Sequence, residues 1–97
     1  MIKSDSVKQI NKQIMDIQGK GISLTIAMEE CAELIQAISK FKRNKGDIDN
    51  LIEEIGDVLI CIDYLIQLFY LNDEYIDEVI SDKVIKTLEK LKNNLEV

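Results

Sequence analysis

Two segments of the sequence, MEECAEL and NLIEEIGDVL, place acidic residues inside otherwise apolar stretches. The acidic positions are Glu29, Glu30 and Glu33 in the first segment, and Glu53, Glu54 and Asp57 in the second. In a helix, residues three positions apart are separated by about 60° around the axis. Each segment therefore carries an acidic pair on one side of its helix: Glu30 with Glu33, and Glu54 with Asp57.

If the two helices pack with these sides facing each other, four carboxylates converge. Like charges a few ångströms apart raise one another's pKa, and burial raises it further. A hard cation would relieve this repulsion, and all-oxygen ligands favour Mg²⁺ or Mn²⁺ over zinc or copper. The sequence contains no histidine, which argues against a di-iron site built from Glu-x-x-His motifs. The spacing thus predicts a magnesium site, whereas each glutamate taken alone also fits a solvated helix surface.

The elements that must position these carboxylates are all helical. The chain lacks proline, and its apolar residues recur at helical spacing. Gly19 and Gly21 interrupt the first pattern, the basic loop KRNKGDID interrupts the second with Asp47 or Asp49 as a possible N-cap, and Asp73 is a possible cap after the third. We expect helices over about 4–18, 22–42, 49–71 and 74–94. Short connections favour antiparallel neighbours, so the sequence predicts an all-α antiparallel four-helix bundle in a single domain, 1–97.

Composition limits the classes of partner. A net charge of −6 argues against non-specific binding to nucleic-acid polymers. The most apolar run, Val58 to Leu71, is too short and too polar to span a bilayer, and the N-terminus lacks the apolar region of a signal peptide. These features predict a cytoplasmic protein that does not associate with membranes. Cys31 and Cys61 lie in helical apolar patterns without metal or redox spacing, and are expected to be small buried hydrophobes.

The apolar content also predicts self-association. A chain of 97 residues that is 46% hydrophobic can bury only a limited share of its surface. The run from Val58 to Leu71 is more hydrophobic than a four-helix protomer can readily cover. We therefore expect dimerisation to complete the bundle, in a homodimer or a dimer of dimers.

The acidic pattern also carries a family resemblance. Glu29-Glu30-x-x-Glu33, followed after about twenty residues by Glu54-x-x-Asp57, resembles the EExxE…ExxD signature of the all-α NTP pyrophosphohydrolases. This superfamily includes MazG-like proteins, dimeric dUTPases, dCTP pyrophosphatases and phosphoribosyl-ATP pyrophosphohydrolases. The resemblance implies hydrolysis of a nucleoside triphosphate to a monophosphate and pyrophosphate, with Mg²⁺ as cofactor and Mn²⁺ as an alternative.

The resemblance also implies roles for individual residues. The positions that match the family's magnesium ligands are Glu30, Glu33, Glu54 and Asp57. Glu29 matches a glutamate that supports the ligands or orients the attacking water. Either Glu29 or Glu33 is then expected to accept the proton of that water.

Five further residues are candidates for substrate binding. Helix periodicity places Lys40 on the side of Glu30 and Asn50 on the side of Glu54, where they could meet a phosphate or hydrogen-bond near the metal. Lys83, Lys86 and Lys90 are similar to a K-x-x-K-N-x-x-R pattern of the family, from which Thr87 and Lys90 depart. An ordinary solvated surface role is the alternative for each of them.

Two other functions are compatible with the sequence. The chain could be a non-catalytic or regulatory protein that sequesters a nucleotide or acts on a signalling nucleotide. It could also be a helical interaction module, for which no effect of divalent metal on stability is expected. No aromatic or amide arrangement identifies the base or the sugar of a substrate, and Gln13 and Gln18 are only possible contacts of the base.

Overall fold

The computed structural model describes residues 2–95, which form four α-helices and no strands. The helices are α1 (Asp5–Gln18), α2 (Lys20–Lys42), α3 (Ile48–Leu68) and α4 (Asp73–Leu95). The prediction of an all-α fold with four helices is confirmed. The third helix ends three residues before its expected limit.

Side-chain caps define the starts of three helices, and the Ser4 hydroxyl caps α1 by accepting from the backbone N–H of Val7. The Asp47 carboxylate accepts a hydrogen bond from the backbone N–H of Asn50 at 2.7 Å, which caps α3. Before α4, the Asn72 side-chain oxygen accepts from the backbone N–H of Tyr75 at 3.1 Å. The cap of α4 is therefore Asn72, and the expectation of Asp73 was wrong by one residue.

A single residue, Gly19, separates α1 from α2. Its φ of +87° and ψ of 164° belong to a region of backbone space that is essentially restricted to glycine. Because Gly19 alone forms the break between the helices, Gly21 lies inside the first turn of α2 and not in the break, contrary to the sequence prediction. This tight turn fixes the end of α1 against the start of α2.

The body of the fold is the antiparallel hairpin of α2 and α3, with α1 packed on one side. A small core joins the three helices through Met15 of α1, Ala27 of α2, and Cys61 and Tyr64 of α3. Cys61 is buried, as predicted, but Cys31 is exposed. That prediction was wrong because Cys31 lies on a part of α2 that neither α1 nor α3 covers.

Helix α4 differs from the expected bundle because it packs extensively on none of the other three helices and buries no residue. The accessible surface is 7717 Å², compared with roughly 5,700 Å² for a compact monomer of this mass. The radius of gyration is 16.7 Å, whereas about 12–13 Å is typical of a compact domain of this length. One chain therefore leaves much of its apolar surface uncovered.

A buried polar network attaches α1 to α3. Asp63 is only 4% exposed, and its Oδ2 accepts hydrogen bonds from the Asn11 amide at 2.8 Å and the Gln67 amide at 2.7 Å. The same two amides also donate to main-chain oxygens across the interface, Asn11 to Ile60 and Gln67 to Lys8. The three bonds that cross between the helices, from Asn11 to Asp63 and Ile60 and from Gln67 to Lys8, set the position of α1 along α3.

We expect Asp63→Ala to lower the free energy of unfolding by about 3 kcal/mol, because the buried Asn11 amide and the half-buried Gln67 amide lose their shared acceptor. Asp16→Ala is the matched control, since the Lys12–Asp16 ion pair at 2.9 Å is well exposed and should contribute less than about 0.5 kcal/mol. Urea unfolding at one fixed protein concentration measures both changes. Equal losses for the two variants would show that the network does not hold α1.

Candidate metal centre

The structure brings four carboxylates together across the α2–α3 interface: Glu30 and Glu33 from α2, and Glu54 and Asp57 from α3. Each side chain offers one oxygen, and these four oxygens all lie within 4.8 Å of one another. The geometry follows from the sequence spacing, because an i, i+3 pair on each of two antiparallel helices converges when the pairs face each other.

Crowding and burial perturb the protonation of this cluster. Burial, followed by the charges of Glu33 and Asp57, raises the pKa of Glu30 to about 7. Burial and the same two charges also raise the pKa of Glu54, and the charge of Glu53 raises it further. The cluster therefore resists carrying its full negative charge when no cation compensates it.

Two of the carboxylate oxygens lack a hydrogen-bond partner within the described residues. They are Oε2 of Glu30 and Oε2 of Glu54, and both are buried from solvent. An unpaired buried carboxylate oxygen is costly unless a hydrogen-bond donor or a cation meets it. An all-oxygen donor set with two such oxygens fits a hard divalent cation such as Mg²⁺ or Mn²⁺.

A polar layer lies beside the cluster, toward the end of the hairpin that α1 covers. Gln18 donates to the hydroxyl of Ser23 at 2.9 Å, and that hydroxyl donates to the main-chain oxygen of Gly19 at 2.8 Å. Burial raises the pKa of the Tyr64 phenol, and the nearby Gln18 side chain offsets part of that effect. Gln18 thereby links the end of α1 to the start of α2 and lies near Tyr64 of α3.

A cysteine lies between this layer and the carboxylates. Cys61 is 3% exposed, and burial, followed by the charge of Glu30, raises the pKa of its thiol to about 11. The thiol therefore stays protonated at neutral pH, and its role is to pack.

The remaining candidates on α2 and α3 lie outside the four-residue cluster. Glu29 is exposed beside it. Lys40 is exposed in the last turn of α2, and Asn50 is half-buried in the first turn of α3. Both Lys40 and Asn50 thus lie between the carboxylates and the α2–α3 loop.

The three lysines of α4 lie on an exposed helix in the isolated chain. Lys83, Lys86 and Lys90 are each exposed. Across residues 2–95 the sole ion pair joins Lys12 to Asp16, so no lysine is within ion-pairing distance of the cluster. A single chain does not bring the α4 lysines to the carboxylates.

Sequence reasoning missed the residues that position α1 next to the site, chiefly Asp63 with Asn11 and Gln67. A signal for them was present, because Asp63 and Gln67 are the polar residues within the apolar run from Val58 to Leu71. A polar residue in such a run requires a buried partner, but the sequence does not show that Asn11 supplies it.

Together, the helical hairpin and its acidic cluster define an all-α protein with a candidate divalent-metal centre. Residues 18–94 match the MazG nucleotide pyrophosphohydrolase domain. This match covers most of the chain, including α2, α3 and all four clustered carboxylates, and the protein therefore belongs to that family of nucleotide pyrophosphohydrolases. Comparisons with curated proteins and with solved structures find no match. None of the helices within residues 2–95 is long and apolar enough to cross a membrane.

Proposed function

We propose that this protein is a Mg²⁺-dependent nucleoside triphosphate pyrophosphohydrolase, which converts a ribo- or deoxyribonucleoside triphosphate and water into the monophosphate and pyrophosphate. The observation that carries the proposal is the cluster of four carboxylate oxygens within 4.8 Å of one another. Membership of the MazG family supports the general class of reaction. The two buried oxygens without partners support a divalent cation as part of the site.

In this proposal Glu30, Glu33, Glu54 and Asp57 hold the cation. When bound, Mg²⁺ neutralises phosphate charge and lowers the pKa of a coordinated water. Four carboxylates supply enough negative charge to hold a divalent ion, and the ion in turn allows an acidic protein to bind a polyanion.

The proposed reaction is a displacement at the α-phosphorus. A bond forms between the water oxygen and the α-phosphorus, while the bond from that phosphorus to the α,β-bridging oxygen breaks and pyrophosphate leaves. A carboxylate oxygen of Glu29 or Glu33 accepts the water proton. Glu29 suits this role because it is exposed beside the cluster and is not one of its four members.

Basic and polar side chains are proposed to bind the rest of the substrate. Lys40 and Asn50 lie on the loop side of the carboxylates, where they can meet a phosphate group or hydrogen-bond near the metal. The lysines of α4 (Lys83, Lys86 and Lys90) are proposed as further phosphate contacts. Because α4 stands apart in the isolated chain, these lysines can contact a phosphate at the site only in an assembly that brings α4 next to a four-carboxylate cluster.

We also propose that the working form is a homodimer or a dimer of dimers in the cytosol. The uncovered surface supports self-association, because the excess of roughly 2,000 Å² over a compact monomer exceeds the approximately 800 Å² that each partner buries in a standard interface. Two cysteines without a disulfide are compatible with a reducing compartment.

A panel of triphosphates tests the proposed activity. The protein is incubated with canonical, deoxy and damaged nucleoside triphosphates in the presence of Mg²⁺, and pyrophosphate and monophosphate are quantified. We expect equimolar release of the two products from at least one substrate. Release of inorganic phosphate instead would contradict attack at the α-phosphorus. Binding of nucleotide without turnover across the panel would favour the nucleotide-sequestering function.

A further inference from the structure

A cavity of about 590 Å³ lies at the end of the hairpin opposite the α2–α3 loop, where it borders α1, the junction at Gly19 and the end of α3. Its wall includes Lys12, Asp16, Lys20, Gln67, Leu68 and Tyr70. Small-molecule sites in proteins typically measure about 300–1,000 Å³ and combine apolar walls with a few polar groups. The cavity therefore has the size and the mixed lining of a ligand site.

This cavity is separate from the acidic cluster. Lys20 precedes Glu30 by ten residues on α2, and Gln67 follows Asp57 by ten residues on α3. At 1.5 Å per residue, about 15 Å of helix lies between the cavity and the carboxylates on both sides of the hairpin. The buried core that joins the three helices occupies this interval. A small ligand in the cavity therefore does not reach the carboxylates through the protein interior.

Tyr70 is held beside the cavity in a strained backbone conformation. Its φ is +53°, and the backbone N–H of Leu71 donates to the main-chain oxygen of Ile66 at 2.9 Å. This is the hydrogen-bond pattern of a Schellman helix end, whose left-handed position favours glycine. A side chain there costs free energy, and Tyr70 does not recover it by packing because it is 93% exposed. An exposed aromatic residue kept at such a position points to a role other than folding.

Gln67 presents a fixed acceptor at the cavity. Its amide nitrogen donates to the main-chain oxygen of Lys8 at 3.0 Å and to Oδ2 of Asp63 at 2.7 Å. Because both partners are acceptors, the amide cannot be reversed, and its oxygen faces away from them. That oxygen accepts no hydrogen bond from the residues that the structure describes, 2–95. It is therefore available to a donor group of a ligand.

Lys20 presents a positive charge at the same cavity. Its Nζ lies 4.9 Å from the centroid of the Phe69 ring, a cation–π contact that restrains the ammonium without neutralising it. Lys12 is paired with Asp16 at 2.9 Å, whereas Lys20 forms no ion pair within residues 2–95. The charge of Lys20 is thus available to an anion.

We propose that this cavity binds a nucleoside monophosphate whose base carries an amino group, at a second nucleotide site distinct from the carboxylate cluster. The base stacks on the ring of Tyr70, its amino group donates to the oxygen of Gln67, and the phosphate pairs with Lys20. One unpaired lysine matches a monophosphate better than a triphosphate, whose larger charge needs a metal or several cations. A monophosphate is also a product of the proposed reaction, but the binding site does not depend on that activity.

The binding test uses AMP and the full chain in EDTA, followed by isothermal titration calorimetry. Without a divalent cation the four carboxylates repel phosphate, so the measurement reports on the cavity. We expect AMP to bind saturably, and adenosine and ribose 5-phosphate each to bind at least about tenfold more weakly, because each lacks one of the recognised groups. Inosine monophosphate is the matched ligand control, since it differs by lacking the amino group, and should also bind more weakly.

Variants of two residues test the roles of the charge and the ring. Lys20→Gln should weaken AMP binding by about tenfold or more, whereas Lys42→Gln, the same change at the exposed other end of α2, should not. Tyr70→Gly should weaken binding by about tenfold, and Tyr70→Phe should retain it. Without ligand, the melting temperature of Tyr70→Gly should be no lower than that of wild type, because glycine relieves the left-handed strain.

Four results would overturn the proposal. Absence of AMP binding would refute the site, and equal binding of ribose 5-phosphate would show that only an anion is recognised. Loss of AMP binding in Glu54→Ala but not in Lys20→Gln would place the nucleotide at the carboxylates. A much lower melting temperature of Tyr70→Gly would assign Tyr70 to folding. None of these measurements involves pyrophosphate release, so failure of this proposal is distinguishable from failure of the proposed activity.

Discussion

Glu54→Ala is expected to reduce pyrophosphate release by about a thousandfold or more. Loss of one ligand weakens the hold on a cation that is proposed to contribute several kcal/mol of transition-state stabilisation, and each 1.4 kcal/mol corresponds to about a tenfold change in rate. Glu33→Ala should have a comparable effect, because it removes a ligand and one of the two candidate proton acceptors. The assay is steady-state pyrophosphate release with the best substrate of the panel, at saturating Mg²⁺.

The folded chain should tolerate the loss of Glu54. Burial and the charges of Glu33 and Asp57 raise the pKa of Glu54, which means that its ionised form is unfavourable in the metal-free fold. Removing it relieves the repulsion, so Glu54→Ala should be no less stable than wild type in EDTA. Urea unfolding in EDTA separates a loss of chemistry from a loss of fold.

Glu53→Ala is the matched control, since Glu53 is the exposed neighbour of Glu54 and lies outside the four-residue cluster. It should retain most of the activity. Full pyrophosphate release by Glu54→Ala would contradict the assignment of the site. A large loss of stability in EDTA would instead assign the cluster a structural role.

The cluster was predictable from sequence for a geometric reason. An i, i+3 pair fixes two side chains on one side of a helix, and the short loop between α2 and α3 forces those helices to be antiparallel neighbours. The apolar positions next to each pair direct it toward the interface. Local spacing and one short connection therefore determine how Glu30 and Glu33 meet Glu54 and Asp57.

Other features could not be predicted because they depend on which surfaces the remaining helices cover. An apolar stripe shows that a helix side needs a partner, but it does not identify that partner. For this reason the burial of Cys61 was predicted correctly and that of Cys31 was not, although both lie in similar apolar patterns. The separation of α4 from the hairpin has the same origin, because Ile80, Val84 and Leu88 recur at helical spacing in the sequence without showing what covers them.

The most general test of the metal centre is removal of the metal. EDTA is expected to abolish pyrophosphate release, and Mg²⁺ or Mn²⁺ to restore it, because a triphosphate cannot approach four carboxylates whose charge is uncompensated. Release that persists in excess EDTA would contradict a metal-dependent reaction. If the protein were instead a helical interaction module, adding Mg²⁺ and nucleotide would not change its melting temperature.

The pH dependence of stability supplies an independent measurement. In the metal-free fold, burial and the neighbouring charges raise the pKa of Glu30 to about 7, whereas the pKa of a glutamate in an unfolded chain is about 4.3. Because the folded-state pKa is the higher one, the contribution of Glu30 to stability is fully present below about pH 4.3 and is lost as the pH rises to about 7. Glu54 acts in the same direction, since its pKa is also raised.

In EDTA, the melting temperature of wild type should therefore fall between pH 5 and pH 8 relative to that of Glu30→Gln, which lacks this titration. Glu89→Gln, at an exposed position of α4 outside the four-residue cluster, is the matched control and should follow wild type. A variant difference that is constant across this range would mean that Glu30 does not titrate in it.

Bound Mg²⁺ should reverse the trend, because the cation competes with protons for the same oxygens. Its affinity is expected to fall about tenfold per pH unit below about pH 7 for each proton that it displaces. The increase in melting temperature caused by Mg²⁺ should thus grow from pH 5 to pH 8, where the metal-free protein becomes less stable. The repulsion that weakens the metal-free cluster is then the source of its affinity for a cation, and both effects should be smaller in Glu30→Gln, where Glu54 still acts in the same direction.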